Sequence, residues 1–163
     1  MDEVLKMWTI PKKIILTSGV GEGITPLNSL DKALLSAGVG NFNLIKVTSI
    51  VPAEAEVVEN YQEKFIDGML MPAVYTYITS NIPNEKISSG IIVGIPKNKN
   101  QSGLIFEVSK SCSLAKNKEE CMIMITEGFK NRNIDNFSIK FVGKEAVVEK
   151  GFTTVVSVAL LLK

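Results

Sequence analysis

An α+β sandwich, two β-sheets packed face to face with helices on their outer faces, is the fold that this sequence predicts. Three observations lead to it. Seven segments carry strand patterns, two carry capped helical periodicity, and 163 residues with 45% hydrophobic content suffice for one real core. A single domain over residues 1–163 follows, in a layered αββα arrangement.

The first strand comes after Trp8, Pro11 and the Lys12-Lys13 pair, as the apolar segment Ile14-Ile15-Leu16. Gly19-Val20-Gly21-Glu22-Gly23 then reads as a glycine-rich turn. It lacks the Gly-Lys-Ser/Thr ending and the full glycine spacing of a phosphate-binding loop, and Glu22 would repel phosphate. Glycines that let the backbone turn or approach a neighbour explain it better. Thr25-Pro26 starts a helix, with a hydroxyl cap and proline at the first helical position, and Gly38 stops it. Leu27, Leu30, Leu34 and Ala37 make its apolar stripe. Asp31, one turn after Leu27, is either a solvated carboxylate or, with Leu27, one wall of a pocket for a cationic ligand group.

Phe42 to Ser49 is the next strand, and by local pattern Thr48-Ser49 is a strand end with hydroxyls entering a turn before Pro52. Glu54 to Asp67 is polar and without strong period, a surface loop. Gly68 to Ser80 and Lys86 to Ile95 look like buried strands, an antiparallel pair joined by the turn Asn81-Ile82-Pro83-Asn84. Pro96 to Gln101 is a solvated basic loop. In the strand Gly103 to Ser109, Glu107 is the one charged residue. Facing inward it would be desolvated and become a proton donor, whereas facing outward, where the pattern leans, it is ordinary strand decoration. Ser113 caps a helix running to about Asn131, with Cys121, Ile125 and Phe129 along one face. Phe137 to Val148 and Phe152 to Leu162 read as a hairpin across Glu149-Lys150-Gly151.

Composition removes whole classes of function. Eighteen basic and seventeen acidic residues leave a net charge of +1, so no global field draws nucleic acid or an anionic membrane. No apolar run approaches the roughly 18 residues of a membrane span, and Asp2 and Glu3 do not make a signal-peptide flank. The expectation is a soluble, cytoplasmic protein. Cys112 and Cys121 fit no zinc spacing and read as free thiols. The chain has no histidine, which removes Ser-His-Asp chemistry, Cys-His chemistry and histidine metal sites together. An acid or base must come from carboxylates, lysines or tyrosines, or an electrophile must be made by the chain itself.

As an ordered set, three stretches resemble the pyruvoyl-dependent arginine decarboxylases. They are GEGITPLNSLDKALLSAGVGNFNLIKVTSIVPAEAE (residues 21–56), the tyrosine-containing strand Pro72 to Ser80, and SGLIFE (residues 102–107). The resemblance implies self-cleavage between Thr48 and Ser49. The Ser49 oxygen attacks the Thr48 carbonyl to give an ester, and β-elimination then frees the upstream chain. The dehydroalanine left behind hydrolyses to a pyruvoyl group. The products are a β chain of residues 1–48 and an α chain of residues 49–163. Many family members carry Ser at the position of Thr48, a departure the chemistry tolerates because Thr48 supplies only the carbonyl.

What the resemblance implies about the reaction is equally specific. The pyruvoyl carbonyl made from Ser49 stands in for pyridoxal phosphate as the electron sink, with no metal and no added cofactor. Glu107 matches the proton donor to the carbon that loses CO2, and Asn43 a residue of self-processing and the active site. Leu27 and Asp31 match contacts to the arginine side chain, supplied by a neighbouring protomer; Asn43 and Thr48 complete the expected substrate-binding set. The implied assembly is a trimer of αβ units, or a multiple of three, with active sites between subunits. The implied reaction is L-arginine to agmatine and CO2, serving polyamine synthesis or acid resistance. Two alternatives stand beside it. One is the same chemistry on histidine or aspartate, the latter opposed by Asp31; the other is an uncleaved, inactive homologue with a structural or regulatory role.

Overall fold

A computed structural model describes residues 10–59, 61 and 64–163; Asp2, Glu3 and Trp8 lie outside them. Its elements are β1 (Lys13–Gly23), α1 (Pro26–Ser36), β2 (Asn43–Lys46), β3 (Ile50–Val51), β4 (Glu56–Val58) and β5 (Leu70–Ser80), followed by β6 (Lys86–Pro96), β7 (Gly103–Lys110), α2 (Leu114–Lys130), β8 (Phe137–Val147) and β9 (Phe152–Leu162). The first sheet has the order β2-β5-β9-β1-β4 and the second β3-β7-β6-β8. Both helices lie on outer faces, so the expected α+β sandwich with helices outside is the observed fold.

Apolar clusters between each pair of neighbouring layers hold the four layers together. Between the sheets, Ile14, Leu16, Val74, Ile91, Val93, Ile105 and Ala159 pack with no exposure. On the outer face of the first sheet, Ile15, Val156, Val158 and Leu160 meet Ala33 and Ala37 of α1. Outside the second, Ile92, Leu104 and Val108 meet Cys121, Ile125 and Phe129 of α2, the helical face that the spacing predicts. Each strand shared between two clusters alternates its residues between them, as the period-two geometry of a strand requires.

The glycine-rich stretch is not a turn. β1 runs straight through it, paired with β9 from Lys13↔Leu162 to Gly23↔Phe152. A Cβ at Gly19 would stand 2.2 Å from the Ala33 carbonyl oxygen, and one at Gly21 2.2 Å from the Ala33 nitrogen. The glycines are there so that α1 can lie on the backbone of β1. That contact also corrects the helix stripe. The fully buried residues of α1 are Ser29 and Ala33, small enough for the approach, whereas Leu27 is 75% exposed. Thr25 caps α1 as expected, accepting from Asn28 N. Gly38 (φ +79) ends it in a Schellman motif, with Val39 N donating to Leu34 O and Gly38 N to Leu35 O.

Neither expected hairpin forms. β5 pairs with β2 and β9 while β6 pairs with β7 and β8, so the turn at Asn81–Asn84 carries the chain from one sheet to the other. The 149–151 link returns it in the same way, because β8 lies in the second sheet and β9 in the first. β6 and β9 are buried on both faces, and each needs a strand on both sides; adjacency in sequence does not decide which. Among the described residues the sheets hold nine strands rather than seven, since β3 follows the predicted 42–49 strand and β4 lies inside the predicted loop.

Candidate active site

Thr48-Ser49 is where the chain changes sheets. β2 ends at Lys46 on the edge of the first sheet, and Val47 N donates to Ala73 O of β5 at 3.0 Å. Past the crossover, Ile105 N of β7 donates to Ser49 O at 2.8 Å, and β3 continues along β7 with Ile50↔Leu104 and Val51↔Gly103. The Thr48–Ser49 peptide is therefore held at both flanks, by opposite sheets. Thr48 is exposed and Ser49 half-buried. A short edge strand explains the switch: Pro52 forbids continued pairing, and the apolar Val51 is drawn into the inter-sheet core.

Glu107 faces inward, against the lean of the sequence pattern. Leu104 and Val108 pack toward α2, so Ile105, Glu107 and Ser109 project toward the first sheet. Ser109 Oγ donates to Ser89 Oγ at 2.8 Å, and Ser89 Oγ donates across the gap to Thr76 O of β5 at 3.1 Å. β3 covers only Leu104 and Gly103, which leaves β7 at Glu107 on an open edge and the residue half-buried. Burial pushes its carboxyl above the ordinary range, and the Lys46 ammonium works in the opposite direction. Lys46 stands out only in the fold, with Nζ 5.2 Å from the centre of the Tyr75 ring. Its signal in the sequence is the one that exposes Glu107, a lone charge within an apolar run, here Asn43 to Val51.

The other expected residues are elsewhere in the same chain. Asn43 opens β2, at the end away from Thr48-Ser49, and its Nδ2 donates to Gly68 O at 2.8 Å in the turn before β5. Leu27 and Asp31 are exposed on α1, which covers the outer face of the first sheet. A cavity of about 340 Å³ borders Val51, Pro52, Lys99 and Gly103 but includes neither Ser49 nor Glu107. Both cysteines are free thiols, and burial pushes buried Cys121 up to about 12, which makes it inert.

A family model described as pyruvoyl-dependent arginine decarboxylase matches residues 13–163. The chain belongs to this family. It is similar to proteins named pyruvoyl-dependent arginine decarboxylase from three archaea. The Methanocaldococcus jannaschii protein is 43% identical over 141 residues, 86% of this chain and 84% of that one. The Pyrococcus abyssi protein is 39% identical over 142 residues, 87% and 89% of the two chains. For Thermococcus kodakarensis the identity is 38% over 154 residues, 94% and 97%. The match takes in the sheet crossover at 48–49, the Glu107 strand and α1 alike. Among the described residues no helix is long and apolar enough to cross a membrane.

Proposed function

We propose that this chain cleaves itself between Thr48 and Ser49 and then decarboxylates L-arginine to agmatine and CO2. The observation that carries the proposal is the Thr48–Ser49 peptide held between two sheets beside an inward, desolvated Glu107. With Val47 N bound to Ala73 O and Ser49 O bound to Ile105 N, the peptide between them has restricted freedom, which favours attack of Ser49 Oγ on the Thr48 carbonyl carbon. Asn43 is the proposed holder of the reacting carbonyl oxygen. Its amide is engaged by Gly68, so this role requires either exchange of that bond or the Asn43 of another copy.

Cleavage would not release residues 1–48. β1 is flanked by β9 and β4, both downstream of the cut, and α1 is packed over β1 and β9. The new N-terminus at residue 49 would likewise stay in place, because β3 remains paired with β7. These residues fit a pyruvoyl group at position 49: Ile105 N, which binds the backbone carbonyl of Ser49, would hold the amide end of that residue, and Glu107 lies two residues farther along the same face of β7. When present, that group supplies a carbonyl that condenses with the substrate amine and takes up the electron pair as CO2 leaves. Glu107, whose carboxyl burial pushes above its ordinary range, would give its proton to the carbon that has lost CO2 and regain one from solvent.

Substrate selection belongs to Leu27 and Asp31, with Asn43 and Thr48 completing the set. A carboxylate accepts a guanidinium through paired N–H donors, which favours arginine over an acidic amino acid. Both residues of α1 are exposed in the single chain, and Ile45, Ile50, Met69 and Leu70 are exposed apolar residues on β2 and β3 and at the start of β5. These features support a trimer, or a multiple of three, in which α1 of one copy completes the site of the next. Intact-protein mass spectrometry after incubation tests the proposal. Two fragments are expected, the larger beginning at residue 49 with a blocked, carbonyl-bearing N-terminus; a single chain of 17.8 kDa without carbonyl reactivity would reject it.

A further inference from the structure

We propose that Ser89, with Ser109, is a positioning residue that holds the gap between the sheets beside Glu107 once the Thr48–Ser49 peptide is cut. The inference rests on the cleavage proposed above and goes beyond it, by naming what keeps the two sides of the site in place after the backbone between them is broken.

Before cleavage the open edge of the sandwich is spanned twice. The backbone makes the first span: Val47 N donates to Ala73 O of β5 at 3.0 Å, and two residues later Ser49 O accepts from Ile105 N of β7 at 2.8 Å. Hydroxyls make the second. Ser109 Oγ of β7 donates to Ser89 Oγ of β6 at 2.8 Å, and Ser89 Oγ donates across the gap to Thr76 O of β5 at 3.1 Å. Thr76 lies three residues past Ala73 and Ser109 four past Ile105, so the two spans run side by side between the same strands. Glu107 is midway between their ends on β7, and Ile105, Glu107 and Ser109 share the face toward the first sheet.

Cutting Thr48–Ser49 removes only the first span. β2 stays on β5 and β3 stays on β7, but no covalent bond then joins them at this edge. What remains beside Glu107 is apolar packing among Val74, Ile91 and Ile105, and the hydroxyl span. Apolar contact is non-directional and holds sheets together without fixing a spacing, whereas a hydrogen bond weakens steeply outside a narrow range of length and angle. Ser89 is fully buried and uses its hydroxyl as donor and acceptor at once, so losing it unties β5 from β7 in one step. The next link along this edge, Glu85 accepting from Ser80 and Ser111, lies past the end of β7, on the far side of the Ser89 span from Ile105. Gap width matters to the chemistry because the substrate carbon must come within reach of the Glu107 carboxyl, and a misplacement of about 1 Å can cost roughly 10²-fold in rate.

The test is Ser89→Ala in the full chain. Cleavage, followed by intact-protein mass spectrometry, is expected at the parent's rate, because the backbone span is whole until the bond breaks. In the cut enzyme kcat is expected to fall by about 10- to 100-fold with KM for arginine unchanged. Ser109→Ala, which spares the bond to Thr76 O, lowers kcat in the same way by less. The second readout is Tm. Ser89→Ala should lower it more in cut protein than in the uncut Ser49→Ala background, where the backbone span still joins the sheets. A kcat equal to the parent's overturns the proposal, as does an equal loss of Tm in cut and uncut protein, or cleavage slowed as much as kcat. A parent that stays a single chain rejects the cleavage reading and this inference with it; that failure is read in the parent alone and is distinct from the others.

Discussion

The two long edges of the sandwich are built to opposite ends. At the β4/β8 edge, Lys140 of β8 reaches across the gap and donates to Val57 O of β4 at 2.8 Å, closing one sheet against the other. At the β2/β3 edge the backbone itself crosses, at Thr48-Ser49, and Glu107 is left half-buried on the neighbouring strand. The same kind of position, a sheet edge, is structural in one case and, under the proposed function, reactive in the other. The difference lies in what crosses. A lysine bridging to a carbonyl satisfies both polar groups and buries apolar edges, whereas a crossing peptide exposes a carbonyl to its neighbouring hydroxyl and leaves a carboxyl partly desolvated.

Breaking the reactive edge has the largest expected effect. Ser49→Ala removes the hydroxyl proposed to attack the Thr48 carbonyl, so cleavage and activity are both expected to be abolished; a cut, active variant seen by mass spectrometry would end the contrast between the edges. Glu107→Gln comes next. It still cleaves, but kcat falls by roughly 10²- to 10⁴-fold, the range of general-acid contributions. In the parent, kcat is expected to fall as pH rises through the raised Glu107 midpoint, because the proton that the proposed donor gives is lost there. The linkage to stability has the same sign. A carboxyl that is raised on folding contributes fully below its unfolded pKa and loses that contribution as pH rises through its folded one, so the Gln variant should show a flatter unfolding profile across that window.

Asp31→Ala tests whether the reactive edge is completed from outside its own chain. It should raise KM for arginine by about 10- to 100-fold, the value of a charged hydrogen bond, with kcat little changed. Equal use of arginine and uncharged amino acids by the parent would remove the basis for that role. The smallest effect belongs to the closed edge. Lys140→Met should cost about 1 kcal/mol, a fall in Tm of about 2–4 °C, and leave cleavage intact; impaired cleavage would show that the edges are coupled.

Much of this contrast is written locally. The Thr25-Pro26 and Ser113 helix starts, the α2 face through Cys121, Ile125 and Phe129, and the strands from residue 70 onward follow from caps and periodicity alone. Glu107 is conspicuous as a lone charge in an apolar run, and the run of motifs from Gly21 to Glu107 carries the family. The facing of Glu107 is not legible, because alternation in Leu104–Val108 is blurred by apolar residues on both faces of a strand covered by a helix on one side and a sheet on the other.

By itself the sequence determined the fold class, the two helices, the histidine-free chemistry and the residues that carry the family resemblance, since these depend on residue type and short-range spacing. Only the tertiary structure decided that Gly19, Gly21 and Gly23 lie within a strand under α1, and that both expected hairpins are crossings between sheets. It also decided that Thr48-Ser49 bridges those sheets beside an inward Glu107. The reason is physical. Strand partners, the facing of a carboxyl and the desolvation of its charge depend on groups distant in sequence, and no local pattern of residues encodes them.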